Sequence, residues 1–166
     1  MASAADRGGL PELAANLFQQ ATLHAAGTYD HARLALDQSG MRLRSGDYEG
    51  VICSLTDRGI ESIASTHSLT LAAAATSRRA LSNAASTNWA LAVQDIQKAE
   101  ELLNEANEGP RLIQRMQFLE ASIYILVGTE GRNSKAVADQ YQNLLLLSVA
   151  SNSHAIRDRV RTRLEQ

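Results

Sequence analysis

The residues of this chain best equipped for chemistry are its arginines, and they gather in two places. Arg78 and Arg79 stand side by side in an alanine-rich stretch, while Arg157, Arg159, Arg161 and Arg163 alternate around Asp158 close to the end of the sequence. A guanidinium presents a planar fork of donors that fits carboxylate or phosphate, so each set is a candidate for holding an anionic partner. The competing reading is plain solvation or internal pairing. Arg78 and Arg79 have Glu61 and Asp95 within the same chain as partners, and steps of two scatter the C-terminal arginines around a helix, where cations suit the last turn in any case. A net charge of −2 and a pI near 6.1 supply no general attraction to nucleic acid or anionic lipid.

Other chemistries find less support. Cys53 is the single cysteine, which excludes an intramolecular disulfide and suits a reducing compartment. His24, His31, His67 and His154 show no paired ligand spacing, so no metal site is expected. Gly8-Gly9 lacks the preceding strand and spaced glycines of a phosphate loop, no glutamate precedes a histidine by three residues, and no nucleophile elbow occurs. No catalytic residue and no cofactor are therefore expected. The apolar runs Ile123 to Val127 and Leu144 to Leu147 are too short to span a bilayer, and the N-terminus lacks a basic segment followed by an apolar one, so the expectation is a cytoplasmic protein.

The elements that must position the arginines are helices. With 45% hydrophobic residues, 20% charged, two prolines and few aromatics, the composition suits a soluble all-α domain. Trp89, Ala92, Ile96, Ala99, Leu103 and Ala106 recur at steps of three and four, so they share one face, with Gln94, Asp95, Gln97, Lys98, Glu100 and Glu101 elsewhere. Before them, Ala73 to Ala75, Ala80, Ala84 and Ala85 supply small residues for close helix approach. The short Ser86-Thr87-Asn88 connection predicts that the two helices pack antiparallel.

The segment Asn88-Trp89-Ala90-Leu91-Ala92-Val93-Gln94-Asp95-Ile96-Gln97-Lys98-Ala99 resembles the second helix of a tetratricopeptide repeat, and Ser77-Arg78-Arg79-Ala80 resembles the first-helix pattern leading into the turn. Thr87 stands where that family usually has glycine and Arg79 where it often has leucine. The resemblance implies stacked helical hairpins whose first helices line a groove for a partner peptide, and it places Ser77, Arg78, Leu81 and Asn83 on or beside that groove. The lysine and asparagine of the family's dicarboxylate clamp are replaced by Ser77 and Leu81.

Around this hairpin, residues 1–9 are small and polar and read as a flexible N-terminus, with 10–166 a single domain. Pro11 opens a helix running to about Ala26, and Gly27-Thr28 closes it. A second helix carries Ala32, Ala35, Leu36, Ser39 and Leu43; Gly40 within it weakens the helix or marks close packing. Ser45-Gly46-Asp47-Tyr48-Glu49 is similar to the family's turn, with Val51, Ile52, Leu55 and Gly59 on the helix that follows. Ser68 is a candidate cap for the alanine-rich helix. Asn107-Glu108-Gly109-Pro110 separates the central hairpin from a helix bearing Leu112, Met116, Leu119, Ile123 and Leu126, which is expected to end at Gly128. Helices over Ala136 to Ser148 and around Ile156, Val160 and Leu164 follow. Gly46, Thr87 and Gly128 are spaced by 41 residues, longer than the family's roughly 34-residue unit. The spacing predicts about eight helices, three stacked hairpins with terminal capping helices; a closed irregular bundle is the rival geometry. The function expected is a non-enzymatic adaptor binding another protein or peptide. The alternatives are a nucleic-acid-associated protein using the C-terminal arginines, or a homo-oligomer pairing through Leu144 to Val149.

Overall fold

A computed structural model describes residues 9–24, 29–66, 68–106 and 112–165 of the chain. The expected punctuation at Gly27-Thr28, at His67 and at Asn107 to Pro110 lies outside the described residues, as do residues 1–8. Among those described there are nine helices and no strand. They are α1 (Pro11–His24), α2 (Tyr29–Ser45), α3 (Tyr48–Ser54), α4 (Asp57–Thr66), α5 (Leu69–Ala85), α6 (Trp89–Glu105), α7 (Leu112–Glu130), α8 (Lys135–Ala150) and α9 (Ala155–Glu165).

The main packing follows chain order. α1 lies on α2, α2 on α3, α4 and α5, α5 on α6 and α7, and α7 on α8 and α9. The core is divided accordingly into three clusters. Leu36, Val51, Leu55, Ile60 and Ile63 meet Ala72 and Ala75 of α5; Ala80, Leu81 and Ala84 of α5 meet Ala92 of α6 with Ala121 and Ile125 of α7; Met116, Leu119 and Ile123 of α7 meet Val137, Leu144, Ile156 and Val160. Helices α5 and α7 each serve two clusters, so neighbouring helices share cores along the chain, an arrangement compatible with a helical repeat.

Local chemistry sets the boundaries. The Ser68 hydroxyl accepts the Leu71 amide at 3.2 Å to cap α5, the Asp47 carboxylate accepts the Gly50 amide at 2.9 Å to cap α3, and Ser134 accepts Val137 at 3.2 Å to cap α8. Three helices end in one and the same motif. After α2, α5 and α8 the chain turns left-handed at Gly46 (φ 78), Thr87 (φ 61) and Asn152 (φ 49), and the next amide bonds back to Arg42, Asn83 and Ser148 respectively. Thr87 adopts the geometry of the glycine it replaces, at the steric cost a β-branched residue carries there.

Two expectations are corrected. The helix after Gly46 does not run through Gly59: it breaks at Leu55, and the Thr56 hydroxyl accepts the Gly59 amide at 3.2 Å to start α4. The break frees the Leu55 carbonyl, which accepts Arg79 Nη1 at 2.9 Å. Gly128 is not a turn. It lies in the last turns of α7, with the left-handed residue at Gly131 (φ 89), and its bare backbone is a slot for the indole of Trp89, which fills the space a Cβ would need.

Gly128→Ala must push that indole aside, and overpacking of this kind costs about 1–3 kcal/mol. Because Trp89 is the single tryptophan, its emission should red-shift as the urea midpoint falls. An unchanged spectrum and midpoint would contradict this account of Gly128.

Candidate functional site

Adjacent residues on a helix point about 100° apart, so Arg78 and Arg79 leave α5 on different sides. Arg79 turns towards α3, α4 and α6. Its Nε and Nη2 donate to the two carboxylate oxygens of Asp95 at 3.0 and 2.6 Å, Nη2 also reaches Asp57 at 2.8 Å, and Nη1 takes the Leu55 carbonyl. The buried Asn83 amide donates to Asp95 at 2.9 Å. Burial by itself would lower the Arg79 pKa, but the hydrogen bonds it donates to Asp95 and Asp57 outweigh it and the net shift is upward. The Asp57 carboxyl is held below its ordinary value, first by the hydrogen bond from Arg79 and then by its charge. Asp95, off the apolar stripe of α6, is 7% exposed and is one of the two internal partners the sequence offered for the central arginines. This network ties three elements to α5.

Arg78 turns the opposite way. Its Nη1 donates to the Leu36 carbonyl at 2.6 Å and the Ser39 hydroxyl at 3.2 Å, both on α2. The guanidinium passes over Gly40, where a Cβ would stand 3.2 Å from Nη1; close packing, not weakness, explains this glycine. Burial pushes the Arg78 pKa down to about 10; the charges of Asp37 and Glu120 oppose the shift and that of Arg44 adds to it. No carboxylate among the described residues forms an ion pair with Arg78.

Arg78 stands in the wall of an open cavity of about 1130 Å³ lined mainly by α2, α5, α7 and α9, and also by Gly9, by Pro11 of α1 and by Tyr48 of α3. Leu43, Leu81, Ile123, Val127 and Leu164 give it an apolar lining, and Tyr48 and Tyr124 add two aromatic rings. α9 contributes two arginines. Arg159 forms a two-pronged pair with the buried Glu120 of α7, at 2.7 and 2.8 Å, and this raises the arginine's pKa against the effect of burial. One turn on, the Arg163 guanidinium carbon lies 3.5 Å from the centroid of the Tyr124 ring. The Ser77 hydroxyl, also in the lining, donates to Ala73 of its own helix at 2.8 Å.

The candidate residues are thus redistributed. Ser77, Arg78 and Leu81 line the cavity, but Asn83 does not; it lies with Arg79, Asp95 and Lys98 around a smaller hollow of about 440 Å³ on the other side of α5. Arg159 and Arg163 join the cavity, whereas Arg157 bonds Asp158 at 2.7 Å and Arg161 lies 3.9 Å from the same carboxylate. Glu61 pairs with neither central arginine. The places of Tyr48, Glu120 and Tyr124 in the cavity emerge only in three dimensions. Cys53 is exposed; Leu144 is buried while Leu146 and Val149 are exposed. Among the described residues no His, Cys, Asp or Glu cluster could hold a metal, and no helix is long and apolar enough to cross a membrane.

No family model, curated protein or solved structure matches this chain.

Removing one partner of a buried pair leaves the other charge uncompensated, so Arg79→Ala should lower stability by about 3 kcal/mol in urea denaturation; a loss within error of zero would contradict the network. Asp57→Asn adds a pH signature. A carboxylate whose folded pKa is depressed contributes stability above its unfolded value and loses it as pH falls through the folded one. The urea midpoint of Asp57→Asn should therefore lie below wild type at neutral pH, with the two curves converging below the ordinary carboxyl value of 3.8. A gap that persists in acid would show that Asp57 acts otherwise.

Proposed function

We propose that this chain is a non-enzymatic, tetratricopeptide-like binding module that receives a peptide or helix of another protein in the cavity between α2, α5, α7 and α9. The observation that carries the reading is the cavity itself: an open hollow of about 1130 Å³ with apolar walls and a partly buried guanidinium that no carboxylate of the described chain neutralises. Its composition fits a polypeptide, whose side chains bring both apolar and polar groups. α2, α5, α7 and α9 supply most of the lining, with Gly9, Pro11 of α1 and Tyr48 of α3, and the first helices of stacked hairpins are the face that the resemblance to tetratricopeptide repeats implies for a partner. The polar groups of the lining favour holding over reacting. Ser77 is committed to its own helix, and among the described residues no histidine lines the cavity.

Panning a random peptide library on the intact chain tests this. Thr162 is exposed on α9 and lines the cavity, so Thr162→Trp should obstruct the hollow without touching the core. Selected peptides should bind the wild type at least about tenfold more tightly than this variant, and Leu91→Arg, on the rim of the other hollow, should leave them unaffected. Peptides indifferent to Thr162→Trp would place the site elsewhere, and failure to select any would remove the proposal.

A further inference from the structure

Charge matching around the cavity says more about the occupant, given the reading of it as a peptide site. Each acidic side chain in the lining already faces an arginine: Asp37 lies 3.9 Å from Arg33, Glu120 is gripped by Arg159, and Asp158 is bonded by Arg157. The reverse does not hold. Arg78 is bonded only to neutral acceptors, a backbone carbonyl and a hydroxyl, and Arg163 lies over a tyrosine ring, each without a carboxylate among the described residues. Neutral acceptors satisfy the donors of Arg78 but form no ion pair with its charge, so this guanidinium, drawn out of water, has a place for a carboxylate partner, while Arg163, exposed on α9, turns its charge to the same space. Arg44, also in the lining, raises the positive potential at Arg78.

We propose that the segment accommodated here is acidic, an aspartate or glutamate flanked by apolar residues, with its carboxylate on Arg78 and a second acidic residue at Arg163. The apolar neighbours rest on Leu81, Ile123 and Val127, which line the same space. α9 is then more than an end cap: it supplies one of the two cations that select the ligand, and the Glu120–Arg159 pair fixes its register so that Arg163 overhangs the cavity. A nucleic acid would match the charge but has nothing to set against the aliphatic lining. Gly40 sets the position of the reader on the opposite wall, because the Arg78 guanidinium occupies the room its missing side chain leaves.

The test is the composition and pairing of peptides selected from the random library on the intact protein. The pool should be enriched in Asp and Glu beside Leu, Ile or Phe. For a synthesised member, changing its key Glu to Gln should weaken binding to wild type about tenfold. The same peptide change should cost almost nothing on Arg78→Gln, because the two groups act as one pair. Arg163→Gln should weaken the parent peptide and flatten its salt dependence. The Glu-to-Gln peptide measured on wild-type protein alone keeps the test valid should Arg78→Gln fold poorly. Peptides that bind in the cavity without acid enrichment, or losses that simply add, would overturn the acidic assignment and leave the peptide site standing. Absence of any selected peptide would overturn both.

Discussion

Everything in this molecule is arranged around a helix that has to be buried on nearly every side. α5 touches α2, α3, α4, α6 and α7, and only small side chains allow that many neighbours to approach one axis. Ala72, Ala73, Ala74 and Ala75 are all buried, as are Thr76, Ser77, Ala80 and Ser82. The hydroxyls among them are harmless in the core because each is turned back on its own helix, Thr76 to Ala72, Ser77 to Ala73 and Ser82 to Arg78. A larger residue at these positions would separate the two clusters that α5 joins, and an unpaired polar one would carry a desolvation cost with no compensation.

Against that background the two arginines stand out as the large charged groups of α5, and their surroundings assign them opposite duties. Arg79 is saturated by acidic and carbonyl acceptors and fixes α3, α4 and α6 to the central helix. Arg78 crosses to α2 over Gly40 with its charge unmatched. In the proposed reading the pair links stability to recognition through the rigid backbone of one helix, which is the support a binding residue needs. The same logic continues on α7, where Glu120 and Tyr124, one turn apart, receive Arg159 and Arg163 of α9.

Much of this was legible in the sequence, where the signals were local. Apolar spacing located the helices, Ser68 marked a cap, the run from Ser45 to Glu49 marked a turn, and the tight turn at Thr87 defined the central hairpin. What escaped was set by contacts between distant segments. Gly128 reads as punctuation until Trp89 is seen lying against it. The break at Leu55 has a weak local cue in Thr56, but its role becomes clear only with Arg79 from α5. Asp95 falls on a polar position of its helix by spacing, and is buried because Arg79 and Asn83 need it. Asn83 lies on the same helix as Ser77, Arg78 and Leu81, but it stands about half a turn beyond Leu81 and so faces the opposite side, into the smaller hollow. The C-terminal arginines do scatter around their helix as steps of two require, and that scatter is what places Arg159 and Arg163 inward and leaves Arg157 and Arg161 on Asp158.

The division of labour between neighbouring arginines can be observed directly by NMR of the guanidinium Nε–H groups in the intact protein, recorded while a cavity-binding peptide is titrated in. The account predicts that the Arg78 and Arg163 signals move with saturation while that of Arg79, locked on Asp95, exchanges slowly with water and stays in place. A shift centred on Arg79, with Arg78 unmoved, would contradict it.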